Sequence, residues 1–304
     1  MASPTTASQP PAAPLKKKPV SWINIGLGAF IQTFEVSTLG QPFEVLKTHM
    51  AANRGDGLKA AIRKTYARGG LGGFYQGLIP WAWIEASTKG GVLLFASSEI
   101  EHVCRAKGLS PSASGVVGGM LGGVAQAYTT MGFCTFMKTV EVTRHKNPGV
   151  QTSTWKVAYE VFQHEGIRGL NKGVSAVAVR QMTNWGSRLG IARITESLFK
   201  GKDQGRKLAT SERLMASIVG GALACWNQPI EVIRVEMQSQ AKAEGRPEKL
   251  NIWTTAKYIY RSSGLLGFYR GVTPRIMLST YLTVCMVFGG DQLKAYVAQR
   301  SASN

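Results

Sequence analysis

In stretches otherwise poor in charge, a few ionisable side chains recur at helical spacing. Glu85, Lys89 and Leu93 follow an i, i+4, i+8 step, which sets them on one stripe of a helix. Arg180, Asn184 and Arg188 repeat that step, Gln181 stands beside Arg180, and Arg275 belongs to a third such stretch. A charge within an apolar helix is costly and usually faces a water-filled cavity or a partner. With Lys89, Arg180, Arg188 and Arg275 opposed only by Glu85, a shared cavity would be net positive. Guanidinium forks around it favour a small polyanion over a neutral or cationic solute. The competing role for these arginines is pairing with Glu35, Glu85 or lipid phosphate.

The elements that must position them are written three times. The first copy opens Gln41-Pro42-Phe43-Glu44-Val45-Leu46-Lys47 and closes Phe74-Tyr75-Gln76-Gly77. The third opens Pro229-Ile230-Glu231-Val232-Ile233-Arg234 and closes Phe268-Tyr269-Arg270-Gly271. The middle copy keeps its close, Leu170-Asn171-Lys172-Gly173, but opens Phe133-Cys134-Thr135-Phe136-Met137-Lys138. Gly77, Gly173 and Gly271 are spaced by about one third of the chain, and self-similarity at a fixed period reflects architecture.

Each copy reads as a long apolar stretch, a short amphipathic helix and a second long stretch. The expected spans run over 20–43, 79–101, 109–137, 174–198, 214–230 and 276–290. Spanning hydrocarbon takes about 20 helical residues, so the first must tolerate Glu35 and bend at Pro42. Leu58, Ile62 and Tyr66 share one face of the first amphipathic helix, with counterparts over 155–162 and 252–260. Gly115, Gly118, Gly119, Gly122 and Gly123 supply small-residue steps for close packing in the third span.

The opening Pro-x-acid-x-x-base, followed by Gly-aromatic-base-Gly, resembles the mitochondrial carrier family over nearly the whole chain. Phe133 and Thr135 depart from it. The resemblance implies an all-α membrane protein, with six transmembrane helices in three pseudo-threefold repeats and three short matrix-side amphipathic helices. Repeats over 20–108, 109–205 and 206–300 would follow a disordered tail, 1–19. It further implies a matrix gate in which each carboxylate pairs with the base of the next repeat: Glu44 with Lys138, and Glu231 with Lys47. Thr135 then faces Arg234 without a charge, so the gate is weaker or Arg234 borrows another acceptor. Glu99, Glu196, Asp291 and Lys294 would close the cytoplasmic side. Glu85, Lys89, Leu93, Arg180, Gln181, Arg188 and Arg275 stand at or near the level of substrate contact. Gly77, Gly173 and Gly271 open even-numbered spans, whose free N–H groups would bind the phosphates of cardiolipin. The implied activity is exchange of citrate for 2-oxoglutarate across the inner mitochondrial membrane, with other anions as the alternative.

Composition agrees with that expectation. Only 17% of residues are charged, glycines number 35, and mean hydropathy is −0.04, a compromise suited to a bundle with a polar cavity. The net charge of +19 is spread through all three repeats, which fits anionic lipid and solute better than nucleic acid. Cys104, Cys134, Cys225 and Cys285 are far apart and offer neither a disulfide framework nor a metal site. No catalytic triad, nucleotide-binding glycine loop or metal constellation is apparent, so an enzyme is not expected and no cofactor is implied.

Overall fold

A computed structural model describes residues 22–143, 154–171, 173–201, 209–239, 245–248 and 250–285. The expected tail 1–19 and the end of the sixth span lie outside these residues. Among them all regular structure is helical, and the three repeats share one plan. The first comprises α1 (Trp22–Glu35), a π turn over Val36–Gly40, α2 (Gln41–Ala52), α3 (Leu58–Ala67) and α4 (Trp83–Ala106). The second comprises α5 (Pro111–Gln126), a π turn over Ala127–Met131, α6 (Gly132–Thr143), α7 (Thr154–Leu170) and α8 (Val174–Lys200). The third comprises α9 (Thr210–Leu223), a 3-10 turn over Ala224–Asn227, α10 (Gln228–Gln238), α11 (Ile252–Gly267) and α12 (Val272–Val284).

Capping residues explain several starts. Ser110 Oγ accepts from Ala113 N ahead of Pro111. At α11, Asn251 Oδ1 accepts from Thr254 N while Thr254 Oγ1 accepts from Asn251 N, a reciprocal box. The odd stretches do not end at their prolines, as the sequence suggested, but continue as α2, α6 and α10. The break falls before Pro42, at Thr38 (φ −104°, ψ −113°), and Pro42 sits in the first turn of α2. Thr38 is four residues before Pro42, whose missing N–H leaves Thr38 O without its helical donor, so the break lies where the proline frees the backbone. The second repeat, with Phe133 in place of proline, keeps a π turn over Ala127–Met131 at the corresponding place. Freed backbone at the first turn is satisfied locally, since Tyr75 Oη donates to Thr38 O at 3.1 Å.

Among the described residues no helix is by itself long and apolar enough to cross a membrane. The odd stretches are divided by their turns. The longer even helices, α4 with 24 residues and α8 with 27, carry the charges singled out above. Large side chains such as Phe30, Phe95, Ile194 and Leu198 are exposed, an outer surface suited to hydrocarbon.

The helices close into a ring. α1 lies beside α4, α4 beside α5, α5 beside α8, α8 beside α9, α9 beside α12, and α12 beside α2. Glycines permit the closest approaches. A Cβ on Gly118 would lie 2.7 Å from Ser97 O of α4, and one on Gly123 3.2 Å from Gln181 O of α8.

The closing glycines carry the threefold relation. Gly77, Gly173 and Gly271 have φ of 72°, 77° and 80°, the left-handed region that a side chain resists. Each abuts the odd helix of the next repeat: Gly77 meets Lys138, Gly173 meets Met237 and Gln238, and Gly271 meets Lys47 O.

Candidate functional site

The charged ends of the opening motifs converge at one end of the ring, and Glu231 is their centre. It is fully buried. Lys47 Nζ of the first repeat lies 2.9 Å from Glu231 Oε1, and Arg180 Nε of the second lies 3.1 Å from Oε2. Arg234 grips both oxygens from the same helix, at 2.7 and 3.1 Å. One carboxylate therefore ties all three repeats, and the surrounding cations offset its removal from water.

Lys138 departs from the pairing that the resemblance implies. Its Nζ lies 2.6 Å from Glu85 Oε2, while Glu44 pairs with Lys47 on its own helix at 2.6 Å. The cause is steric and local. The stem of Lys138 packs on Gly77, where α4 is approached, which aims its ammonium along α4 at Glu85. Lys47, one turn from Glu44, supplies that carboxylate with a nearer cation.

At the seam between the second and third repeats, Arg234 borrows other acceptors. Beyond Glu231 it donates to Gln238 Oε1 at 2.7 Å and Thr139 Oγ1 at 3.2 Å. Gln238 Nε2 donates to Thr135 Oγ1 at 3.2 Å, and Thr135 itself donates to Met131 O at 2.6 Å. Between Thr135 and Arg234 the links are thus neutral hydrogen bonds, and a charged link across this seam is that of Arg180 to Glu231.

A lower layer reinforces the same end. Arg54 Nη1 reaches Glu236 Oε2 at 2.6 Å, joining repeats one and three, and Arg68 Nη1 donates to Val142 O at 3.1 Å, joining one and two. In the adjoining loop, burial opposes the charge of Asp56. Hydrogen bonds from Lys64 and His49 outweigh it and hold the carboxyl below the usual carboxylate range.

Beside these ion pairs is a cavity of about 80 Å³, lined by Glu35, Glu44, Glu85, Lys89, Lys138, Leu278 and others. Glu85 and Lys89 share its wall, as their helical step implies. Among the described residues no carboxylate lies within ion-pair distance of Lys89 Nζ. Arg180 is turned to Glu231 instead and is not on this wall. Gln181 Nε2 donates to Gln126 Oε1 at 2.7 Å, and Gln126 Nε2 donates to Lys89 O at 2.7 Å. Leu93 is half-buried, its carbonyl against Gly122. Arg275 is buried and donates to Gln228 Oε1 at 2.9 Å and to Asn227 Oδ1. Glu99 lies on α4. The side chains of Arg188 and Glu196, and all of Asp291 and Lys294, lie outside the described residues.

Several residues at this site escaped the sequence reading: Gln238, Thr139, Gln126, Arg54, and the paired glutamines Gln41 and Gln228. Gln41 and Gln228 each precede the motif proline and donate to the carbonyl before a closing glycine, Gln76 O and Arg270 O. Their signal was available, since both intact copies open with Gln-Pro.

A ring of three like repeats around a polar hollow, closed at one end by buried ion pairs, defines a membrane carrier of the alternating type. The description "mitochondrial carrier protein" matches residues 18–105, 108–203 and 206–301, and the chain belongs to the mitochondrial carrier family. It is 55% identical to the citrate/oxoglutarate carrier protein of Saccharomyces cerevisiae over 97% of this chain and 96% of that one. It is 25% identical to the human mitochondrial tricarboxylate transport protein, covering 77% of each. It is 26% identical to the mitochondrial 2-oxodicarboxylate carrier of Mus musculus, over 79% of this chain and 83% of that one. These relatives are named as transporters, not as enzymes.

Proposed function

We propose that the chain exchanges citrate for 2-oxoglutarate across the inner mitochondrial membrane by alternating access, and that it catalyses no chemical conversion. The observation that carries this reading is the 55% identity, over nearly full length, to a yeast protein named for that pair of solutes. The cavity agrees with it, because Lys89 presents a cation with no carboxylate in ion-pair distance among the described residues.

Arg180 links binding to the gate. In the closed arrangement it is one of three cations on Glu231. A substrate carboxylate in the hollow competes for it and loosens the cluster that holds the repeats together. Arg275 rests on neutral amide oxygens, so its full charge remains for the substrate. Arg188 completes the cationic set. Such coupling works because the ligand interacts differently with the two states. Thr135, Lys138 and Arg234 complete the matrix-side closure with Glu44, Lys47 and Glu231. Glu99, Glu196, Asp291 and Lys294 form the opposing cytoplasmic closure. Cardiolipin phosphates dock where Gly77, Gly173 and Gly271 open the even helices.

The test is exchange in liposomes bearing the purified chain. Internal 2-oxoglutarate is expected to drive uptake of labelled citrate, and Arg180→Ala to abolish it while leaving membrane insertion intact. Uptake that ignores internal 2-oxoglutarate removes this substrate pair. Competition among unlabelled acids then identifies the anion carried instead. Release from membranes by high salt would point instead to a basic nucleic-acid-binding protein.

A further inference from the structure

Glu35 is a buried carboxyl that no gate pair uses. It ends α1 immediately before the π turn, is 2% exposed, and its Oε1 has no hydrogen-bond partner. The carboxyl folds over Gly40, where an added Cβ would lie 2.3 Å from that oxygen, so the turn is shaped to hold it. The same place in the second repeat, seven residues before the motif position of Phe133, is Gln126, whose amide is spent on Gln181 and the Lys89 carbonyl. In the third repeat it is Ala222. The repeat plan therefore does not demand a carboxyl here, and packing gives this one no work.

Its surroundings are those of the transport cavity. Lys89 and Glu85 face it from α4, Glu44 from α2, Lys138 from α6, and Cys285 from the end of α12, where Tyr281 holds Thr38 Oγ1 at 2.6 Å. Glu44, Glu85 and Lys138 are already ion-paired. Of the two described cations that face Glu35, Lys89 is the one not held in an ion pair, and a substrate carboxylate can use it as well.

Citrate carries one more carboxylate than 2-oxoglutarate, so exchange of the ionised acids would move one net charge. We propose that Glu35 is the proton site of the exchange: it is protonated while citrate fills the cavity and ionised, facing Lys89, while 2-oxoglutarate does. A buried carboxylate without a hydrogen bond is costly, and the extra carboxylate of citrate, competing for Lys89, adds repulsion. The proton comes from the solution on the side where citrate binds, crosses as the Glu35 O–H, and returns to solution where citrate leaves. This rests on the citrate/2-oxoglutarate reading above.

The full chain is reconstituted in liposomes holding 2-oxoglutarate and an internal pH dye, with the potential set by potassium and an ionophore. Wild-type exchange is expected to move about one proton with each citrate, and its final citrate ratio to ignore the potential. One uncompensated charge would shift that ratio roughly 50-fold per 100 mV. Glu35→Gln is expected to lose the proton signal and gain that voltage response, and Glu35→Asp to keep the wild-type pattern. The proton-to-citrate quotient counts only inserted, working protein, so poor folding does not mimic the effect. Wild-type exchange without proton movement overturns the proposal, as does a Glu35→Gln variant whose quotient stays at the wild-type value. Absence of any citrate/2-oxoglutarate exchange overturns the substrate reading instead, and the proposal with it.

Discussion

Lys138 Nζ lies 2.6 Å from Glu85 Oε2, which binds the odd stretch of the second repeat to the even helix of the first. Glu85 thereby belongs at once to the cavity wall and to the ion pair that joins the first two repeats. A ligand that engages Glu85 or Lys89 acts on the seam between two repeats without any intervening element.

This pairing has a measurable consequence. Double-mutant cycles with Lys138→Met, Glu85→Gln and Glu44→Gln, read by thermal unfolding in detergent, are expected to separate the two partners. Groups in direct contact couple by about 1–3 kcal/mol, so the Lys138–Glu85 cycle is expected in that range. The Lys138–Glu44 cycle is expected below roughly 0.5 kcal/mol, since Glu44 is served by Lys47. The reverse order would restore the pairing implied by the resemblance.

Glu231 makes a sharper case. Glu231→Gln leaves Lys47, Arg180 and Arg234 crowded around a neutral group. Removing one partner of a buried ion pair costs about 3–5 kcal/mol. A fall in Tm well beyond that of Glu44→Gln is expected, because Glu44 is more exposed and meets one cation. Adding Arg180→Met to Glu231→Gln is expected to recover part of the loss, because among the described residues Arg180 is ion-paired to Glu231 whereas Lys47 keeps Glu44. No recovery would mean the cations are not the source of the cost.

What the residues announced, and what they withheld, follows from the range of each interaction. The threefold plan was legible because identical spacing of Pro, Glu and Gly recurs along the chain. The stripe of Glu85 and Lys89 was legible because helical periodicity is local. The partner of Lys138 was not, because it depends on how its stem packs over Gly77 in another repeat. The bend at Pro42 was legible too, since a proline removes the hydrogen bond to the carbonyl four residues earlier, and the break stands at Thr38. The acceptors of Arg275 were equally hidden, because Asn227 and Gln228 reach it from a different span.

Gly271 tests the threefold seam itself. Its φ of 80° and the 2.7 Å between an added Cβ and Lys47 O leave no room for alanine. Left-handed backbone with a Cβ costs roughly 1–2 kcal/mol, and the clash with backbone adds about 1–3 kcal/mol. Gly271→Ala is expected to lower Tm clearly. Gly28→Ala, with nothing within 4 Å and a helical backbone, is expected to be neutral or stabilising. Equal effects would show that contact with Lys47 does not constrain this seam.

Thr135 sets the strength of the remaining seam. Arg234 already holds Glu231, Gln238 and Thr139, yet among the described residues it is ion-paired with no carboxylate of the second repeat. Thr135→Asp supplies one beside Gln238 Nε2, which now donates to Thr135 Oγ1 at 3.2 Å. The closed state is expected to gain about 1 kcal/mol, which raises Tm and slows opening roughly 5-fold. Thr135→Val removes the acceptor for Gln238 and is expected to lose about 1 kcal/mol, as a hydrogen-bond deletion does. Exchange rates in liposomes should then rank Thr135→Val above wild type above Thr135→Asp, inversely to stability. If Thr135→Asp stabilises the protein without slowing exchange, opening does not pass through the Thr135–Arg234 contact, and the rate is governed by the ion pairs that join the repeats, Lys47 and Arg180 with Glu231 and Lys138 with Glu85.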